Sequence, residues 1–150
     1  RLPGSGIRLV GYSGGGAVAA LLAARRDDVI DLRTLAGNLD IEAFTSHHQV
    51  TPLVGSLNPV AFAQSLARLP QLHLVGGADR IVPKTLVSSY VNRLRVYDPG
   101  LACVQVLELP GITHDKGWRK AWVRHVDKWP VCRLPSLPAK ESKTKVGRPR

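Results

Sequence analysis

The sequence predicts an α/β fold with a mostly parallel sheet flanked by helices. Two observations support this prediction: short apolar runs rich in β-branched residues alternate with helix-like runs, and turns containing glycine or proline separate them. Alternation of this kind is typical of βαβ units, in which helices cover the faces of a parallel sheet. A length of 150 residues and an apolar fraction of 44% fit one globular domain.

The predicted elements begin with a strand that ends at glycines and leads into a helix rich in alanine and leucine. Strands are predicted at 7–13, 29–37, 71–79 and 103–110. Helices are predicted at 14–26, 59–69, 84–94 and 116–129, with an irregular stretch at about 38–59. Because the first strand has no strand before it, we expect the chain to lack an upstream part of its sheet. The absence of methionine, even at position 1, agrees with a fragment.

The net charge of +10 has two sources. Residues 139–150 hold five Lys or Arg residues against one Glu, so we predict a basic, flexible tail at 134–150. The remaining charge is scattered and lacks the interleaved aromatic residues that stack on bases, so no nucleic-acid partner is expected. No apolar run reaches the ~18 residues of a transmembrane segment. Compartment and oligomeric state stay unknown at this point.

The two cysteines say little about the redox environment. Cys103 falls in a predicted strand, and Cys132 lies near the end of a predicted helix. A single pair of cysteines does not specify a disulfide. We expect free, partly buried thiols rather than a bridge.

Residues 11–15 form a GxSxG motif between a predicted strand and a predicted helix. At the apex of such a strained turn, Ser13 leaves little room for side chains two positions before and after it, so glycine is expected at Gly11 and Gly15. The turn also aims the backbone N–H of Gly14 and the helix N-terminus at the space above the serine, where an oxyanion can be stabilised.

Two other interpretations of these residues stay open. Gly14, Gly16 and Ala19 form a GxGxxA pattern, with Asp40 as the ribose-binding acid of a dinucleotide fold. That fingerprint should begin directly at the end of the strand, which it does not do here. Alternatively, Ser13 is an idle residue of a turn.

A nucleophilic serine needs a base within reach and a third group that orients the base. Asp79 lies in a loop after the third predicted strand, and His114 lies in a loop after the fourth. Both are expected at the same edge of the sheet as Ser13, where open α/β sheets place their catalytic groups. Asp40, after the second strand, is an alternative acid. Asp115 is expected to cap or start the last helix.

Ser13, Asp79 and His114, in this order and each after a strand, resemble the triad of the α/β-hydrolase family. The stretches GGADRIVP and GITHDKGW resemble the acid and histidine loops of that family, and the resemblance covers about residues 5–129. It implies that Ser13 is the nucleophile, His114 the general base and then acid, and Asp79 its orienter. It also implies a second oxyanion donor from an upstream loop that this chain does not contain.

The family inserts its lid where residues 38–70 interrupt the alternation, so this segment is expected to be a short lid-like insertion or a packed connector. Leu53 is a candidate for an apolar acyl or alcohol pocket, as is Tyr12 beside the serine. His47 and His48 are expected to line or roof the pocket, because they lack a cysteine or a spaced carboxylate to complete a metal site. Neither a metal nor a cofactor is expected.

Residues 1–133 are therefore predicted to be the carboxyl-terminal portion of an α/β-hydrolase domain. The predicted function is a serine hydrolase that cleaves an ester, thioester or related acyl bond of a small molecule through an acyl-Ser13 intermediate. One alternative is a non-catalytic protein of this fold that binds a ligand or a partner. A second is a nucleic-acid-associated protein acting through the tail at 139–150. The acyl and leaving groups stay open.

Overall fold

A parallel sheet forms the centre of the protein, whose computed structural model describes residues 6–132. Its four strands, in spatial order, are β1 (Ile7–Tyr12), β2 (Val29–Leu35), β3 (Gln71–Gly76) and β4 (Val104–Leu109). Every neighbouring pair is parallel. The α/β class and the four predicted strands are confirmed, so the carboxyl ends of the strands share one edge. The tail predicted at 134–150 lies outside the described residues.

The connections between the strands are helical. They contain α1 (Gly14–Ala23), α2 (Ile41–His47), a 3-10 turn (Pro59–Phe62), α3 (Ala63–Leu66) and α4 (Lys84–Arg95), and α5 (Trp118–His125) follows the last strand. Within residues 6–132, no helix has the length and apolar character needed to cross a membrane. The chain thus runs as a series of strand–helix–strand units.

Helix α2 corrects the prediction of an irregular stretch at about 38–59. Asp40 caps its N-terminus, because the carboxylate accepts a hydrogen bond from the backbone N–H of Ala43. The helix has seven residues, of which Thr45 is buried. So short a helix with so little burial produces no apolar period in the sequence, which is why the pattern did not predict it.

The segment at 38–70 has an exposed part and a packed part. Leu53, Val54 and Leu57 are exposed by 58%, 95% and 53%. Leu66 of α3, in contrast, is buried in the core beside α4. The packed part acts as a connector, and the lid-like role of the exposed part stays a prediction.

Two apolar cores lie on opposite faces of the sheet. On one face α1, α3 and α4 cover side chains such as Leu32 and Val75. On the other face α5 covers Leu72 and Leu74 through Trp118. Strand β3 contributes to both cores, because successive side chains of a strand point in opposite directions. This two-sided coverage explains why all of its residues are buried.

A buried polar network lies on β3 within the first core. The hydroxyl of Tyr90 donates to Oε1 of Gln71 over 2.8 Å, and Nε2 of His73 lies 3.2 Å from the same oxygen. Because an amide oxygen only accepts, Nε2 of His73 carries the proton, and Nδ1 accepts from the hydroxyl of Thr34 over 2.9 Å. Complete burial lowers the pKa of His73 to about 3, so the ring is neutral in the folded protein near pH 7.

Two arginines of the sheet stack on a tryptophan in the segment after α5 and hold that segment against the sheet. The guanidinium of the buried Arg33 lies 3.6 Å from the ring centre of Trp129 and donates to the carbonyl of Val126. Arg8 lies over the same ring, also at 3.6 Å, and forms an ion pair with Asp31. Cation–π contacts of this kind stabilise by roughly 0.5–2 kcal/mol each. They bring the end of the described chain back to β1 and β2.

A disulfide joins Cys103 to Cys132, which corrects the prediction of free thiols. Cys103 directly precedes β4 and is buried, whereas Cys132 lies in the segment beyond α5. The two residues are 29 positions apart, and only the path of that segment brings them together. Such a path depends on tertiary packing, so the spacing of the cysteines does not reveal it.

Reduction of the disulfide is expected to lower the free energy of unfolding by roughly 2–4 kcal/mol, because the bridge restricts the unfolded chain. Urea unfolding followed by circular dichroism, with and without dithiothreitol, measures the loss. Cys132→Ser is the control: its stability should match that of the reduced protein and should not respond to the reductant. Equal stability of the oxidised and reduced wild-type protein would contradict the stabilising role.

The buried His73 is expected to make the protein less stable as the pH falls from about 6.5 to about 3. In this range the unfolded chain binds a proton at the imidazole and the folded protein does not, so the unfolded state is favoured by acid. The contribution of the neutral His73 to the free energy of unfolding is fully present above about pH 6.5. Below that pH it is lost, at up to about 1.4 kcal/mol for each unit by which the pH falls. Urea unfolding at several pH values should show a shallower acid dependence for His73→Gln. Identical slopes in both proteins would exclude this contribution.

Candidate active site

Ser13 lies at a sharp turn between β1 and α1. Its backbone has φ 51° and ψ −125°, a positive-φ conformation that is strained for a residue with a side chain. Backbone hydrogen bonds hold the turn: the N–H of Ser13 donates to the carbonyl of Leu35, and its carbonyl accepts from the N–H groups of Gly16 and Asn38. The end of β2 and the loop after it therefore fix the conformation of the serine.

The glycines around Ser13 have different steric roles. A Cβ at Gly11 would lie 2.4 Å from the carbonyl oxygen of Gly15, and a Cβ at Gly16 would lie 2.8 Å from Cα of Gly37. A side chain at either position would push the backbone apart. At Gly15 a Cβ would meet nothing within 4 Å, which corrects the prediction that the turn needs glycine there. The close approach lies one residue later, where α1 packs against the loop after β2.

Hydrogen bonds connect Ser13, His114 and Asp79 at the carboxyl edge of the sheet. Nε2 of His114 lies 2.9 Å from Oγ of Ser13, and Nδ1 lies 2.9 Å from Oδ2 of Asp79. Because a carboxylate accepts, Nδ1 carries the proton of the neutral ring, and the lone pair of Nε2 faces the serine hydroxyl. We call this arrangement the Ser–His–Asp chain.

The carboxylate of Asp79 is anchored by the backbone of its own loop. Its side chain is buried, and Oδ1 accepts hydrogen bonds of 2.8 Å from the N–H groups of Ile81 and Val82. The other oxygen, Oδ2, bonds the imidazole. Backbone N–H groups that bond a buried carboxylate offset its desolvation and fix its orientation. The loop after β3 thus presents one carboxylate oxygen to the histidine in a fixed position.

The acid loop after β3 and the histidine loop after β4 are joined by their backbones. The N–H of Ala78 donates to the carbonyl of Ile112 over 3.0 Å. A Cβ at Gly76 would lie 2.5 Å from that same carbonyl oxygen, so the absence of a side chain permits the approach. This contact sets the distance between the two loops.

The backbone carbonyl of His114 accepts two hydrogen bonds. The hydroxyl of Tyr12 donates over 2.5 Å, and Nε1 of Trp118 donates over 2.7 Å. The ring of Tyr12 also packs on the imidazole, with 5.4 Å between ring centres. Partial burial, with smaller contributions from the carboxylates of Asp79 and Asp115, raises the pKa of Tyr12 further above neutrality, so its hydroxyl stays protonated and donates.

Asp40, the alternative acid, is bonded elsewhere. Its Oδ1 accepts from the N–H of Ala43 and the side-chain amide of Asn58, and its Oδ2 accepts from the hydroxyl of Ser89. These bonds cap α2 and tie it to α4. The structure therefore gives Asp40 a role in the fold. The carboxylate that bonds His114 is that of Asp79.

Asp115 does not cap the last helix, which corrects that prediction. The N-cap of α5 is Gly117, and no side chain bonds there. Instead, Asp115 accepts a hydrogen bond of 2.9 Å from the hydroxyl of Thr113. This bond is the main reason that the pKa of Asp115 is lowered.

The predicted pocket residues lie in separate places. Tyr12 lines a cavity of about 400 Å³ beside the histidine loop, and Leu53 lines a separate cavity of about 310 Å³; no member of the Ser–His–Asp chain lines either cavity. His47 and His48 pack edge to face with ring centres 4.8 Å apart, and Nε2 of His48 donates to the carbonyl of Ile81. No cluster able to hold a metal ion occurs among the described residues. The pocket roles stay predictions.

The glycine pattern of the dinucleotide alternative lies inside a helix. α1 begins at Gly14, so Gly16 and Ala19 are helical residues rather than a phosphate-binding loop before a helix. The first N–H groups of a helix have no partner within it, and a Cβ at Gly14 would meet nothing within 4 Å. This environment suits the predicted oxyanion donor at Gly14, which stays a prediction.

Two residues of the site were not predicted. Trp118 is part of the histidine-loop sequence, and its indole donates to the backbone carbonyl of the residue four positions earlier. Asn38 supports the serine turn through its backbone N–H, and its own side-chain oxygen is buried without a partner among the described residues. Hydrogen bonds that involve main-chain atoms do not depend on the type of residue that carries those atoms, so the sequence does not reveal them.

Solved structures with the same arrangement of strands and helices are similar at low sequence identity. An acylaminoacyl peptidase of Pyrococcus horikoshii has a TM-score of 0.62 at 16% identity, over 77% of this chain and 21% of its own. An esterase of Pyrococcus furiosus has a TM-score of 0.62 at 13% identity, over 81% and 52%. An α/β serine hydrolase homologue of Coxiella burnetii has a TM-score of 0.55 at 23% identity, over 81% and 47%.

At these identities the similarity shows the fold alone. The chain spans only 21% to 52% of the length of the three structures. No protein-family model and no curated protein matches the sequence. The chemistry is therefore argued from the side chains of the site.

Gly16→Ala is expected to destabilise the protein by roughly 1–3 kcal/mol, because the new methyl group would overlap the backbone at Gly37. The matched variant Gly15→Ala should leave stability unchanged or raise it by up to about 1 kcal/mol, since alanine favours the helix and meets no neighbour there. Urea unfolding of both variants measures the difference. The steric assignment is wrong if Gly15→Ala is the more destabilising of the two.

Proposed function

The chain has the α/β-hydrolase fold, and on this premise we propose that the protein is a serine hydrolase that cleaves an ester, thioester or related acyl bond of a small molecule. Ser13 is the nucleophile, His114 the general base and then acid, and Asp79 the group that orients the histidine. One observation carries the proposal: hydrogen bonds run without a break from the serine oxygen to a buried carboxylate.

In the first half of the reaction the acyl group moves to Ser13. Nε2 of His114 takes the hydroxyl proton while Oγ forms a bond to the acyl carbon, and the carbonyl π electrons move to the carbonyl oxygen. When the tetrahedral intermediate collapses, the carbonyl forms again and the bond to the leaving group breaks. The leaving group takes the proton from Nε2. The contact with Asp79 keeps Nε2 unprotonated at the start, as the first transfer requires.

In the second half a water molecule hydrolyses the acyl-serine. Nε2 of His114 takes a proton from the water as its oxygen attacks the acyl carbon. Collapse of the second tetrahedral intermediate returns the proton to Oγ of Ser13 and releases the carboxylic acid. The imidazole is cationic in both intermediates, and the carboxylate of Asp79 at 2.9 Å stabilises that charge.

The backbone N–H of Gly14 is the proposed oxyanion donor. α1 starts at this residue, so the partial positive charge of the helix N-terminus adds to the effect of the N–H itself. One such donor stabilises the transition state by roughly 3 kcal/mol. The similar structures support the reaction class, because a peptidase and an esterase both hydrolyse acyl bonds. They do not select between ester and amide substrates.

The full-length protein is expected to react with a fluorophosphonate at Ser13, because the activated Oγ attacks the phosphorus and displaces fluoride while Nε2 of His114 takes the hydroxyl proton. Ser13→Ala should abolish labelling. Asp79→Asn should slow it by about 10⁴-fold, since the amide would donate to Nδ1 and force the proton onto Nε2. A time course measures the rate, and mass spectrometry of the modified peptide locates the label.

Two matched variants serve as controls. Asp115→Asn removes an exposed carboxylate next to the histidine, and Asp40→Asn removes the alternative acid. Both should label at close to the wild-type rate once folding is verified by circular dichroism. An unmodified Ser13 in the folded wild-type protein, while a known serine hydrolase reacts under the same conditions, would contradict the hydrolase function and leave the two non-catalytic alternatives.

A further inference from the structure

We propose that Tyr12 and Trp118 are positioning residues that hold the histidine of the site by its backbone. The inference rests on the proposed hydrolase function and gives a role to two side chains that its steps do not use. Both donate to the carbonyl of His114, over 2.5 and 2.7 Å. We call this pair of hydrogen bonds the carbonyl clamp.

The histidine loop has a long distance to cross. His114 follows β4, whereas Ser13 follows β1, and these strands are the two edges of the described sheet. Residues 110–117, which bridge the gap, contain turns and bends but no helix or strand. A loop of this kind has many conformations of similar energy, so bonds to rigid elements must select the one in which the imidazole meets the serine.

The clamp supplies those bonds from two rigid elements. Tyr12 is the last residue of β1 and directly precedes Ser13, and Trp118 is the first residue of α5. The carbonyl of His114 is therefore tied both to the strand that carries the nucleophile and to the helix that follows the loop. A backbone carbonyl has two acceptor lone pairs, so both donors bond it at the same time.

The clamp acts on orientation rather than on the proton itself. It bonds the main chain of His114, while Ser13 and Asp79 bond the two ring nitrogens. With the main chain fixed, the ring has only its side-chain torsions with which to leave the serine. Loss of the clamp should therefore lower the fraction of molecules with a productive ring position and leave the binding of a substrate unchanged.

The test is fluorophosphonate labelling of full-length Tyr12→Phe, Trp118→Phe and the double variant. Phenylalanine keeps an aromatic ring at each position and removes the donor. The maximal labelling rate should fall about three- to tenfold in each single variant, the effect of one ordinary hydrogen bond, with an unchanged half-saturating concentration. The double variant should lose more than the product of the single losses, because in each single variant the other donor still holds the carbonyl.

Trp122→Phe is the matched control. It removes an indole from the same helix and the same core, one turn later, without touching the carbonyl of His114. It should label at the wild-type rate. The NMR resonance of the His114 Nδ1 proton, which bonds Asp79, gives a second readout: it should broaden in the double variant and stay sharp in the control.

The outcomes separate the two proposals. Wild-type labelling rates and an unchanged Nδ1 resonance in the single and double variants would overturn the clamp and leave the hydrolase function standing. An unlabelled wild-type protein would overturn the hydrolase function, and the Nδ1 resonance would still decide whether the clamp holds the ring. If the double variant does not fold, the single variants decide, because each predicts a loss of rate that the Trp122→Phe control lacks.

Discussion

The positive-φ conformation of Ser13 is the constraint on which the candidate site depends. A residue with a side chain keeps such a conformation only where its surroundings determine it. Here the backbone bonds from the end of β2 and the approach of Gly16 to Gly37 do so. As a result, the hydroxyl projects beyond β1 instead of lying on the face of a strand or helix. The other groups of the site are arranged around that oxygen.

The topology of the sheet explains both how the site assembles and what it needs. Parallel strands end at one edge, so the residues after β1, β3 and β4 approach one another without any special path of the chain. In the order of the strands, however, Ser13 follows one outermost strand of the described sheet and His114 follows the other. The histidine loop is attached to the loop after β3 through the carbonyl of Ile112 and to β1 through the hydroxyl of Tyr12. Each attachment shortens the free loop.

The local sequence pattern made the strands and the serine turn predictable. At the turn, for example, an apolar run, a group of glycines and an alanine-rich run follow one another directly. Asp79 and His114 were found since each follows a strand, and the structure brings both into one hydrogen-bond chain with Ser13. Features that depend on distant segments were missed. The partner of Cys103 lies 29 positions away, and the indole donor of Trp118 acts on a main-chain atom, to which residue type gives no clue.

The intrinsic fluorescence of Trp118 is sensitive to the conformation of the histidine loop. Indole emission depends on the polarity and hydrogen bonding around the ring nitrogen, and here that nitrogen bonds the main chain of the histidine. The sequence holds three tryptophans, so replacing Trp122 and Trp129 by phenylalanine would leave a single indole, which can be excited selectively over the three tyrosines. Its spectrum would follow the histidine loop in real time, with no dye attached and no substrate identified.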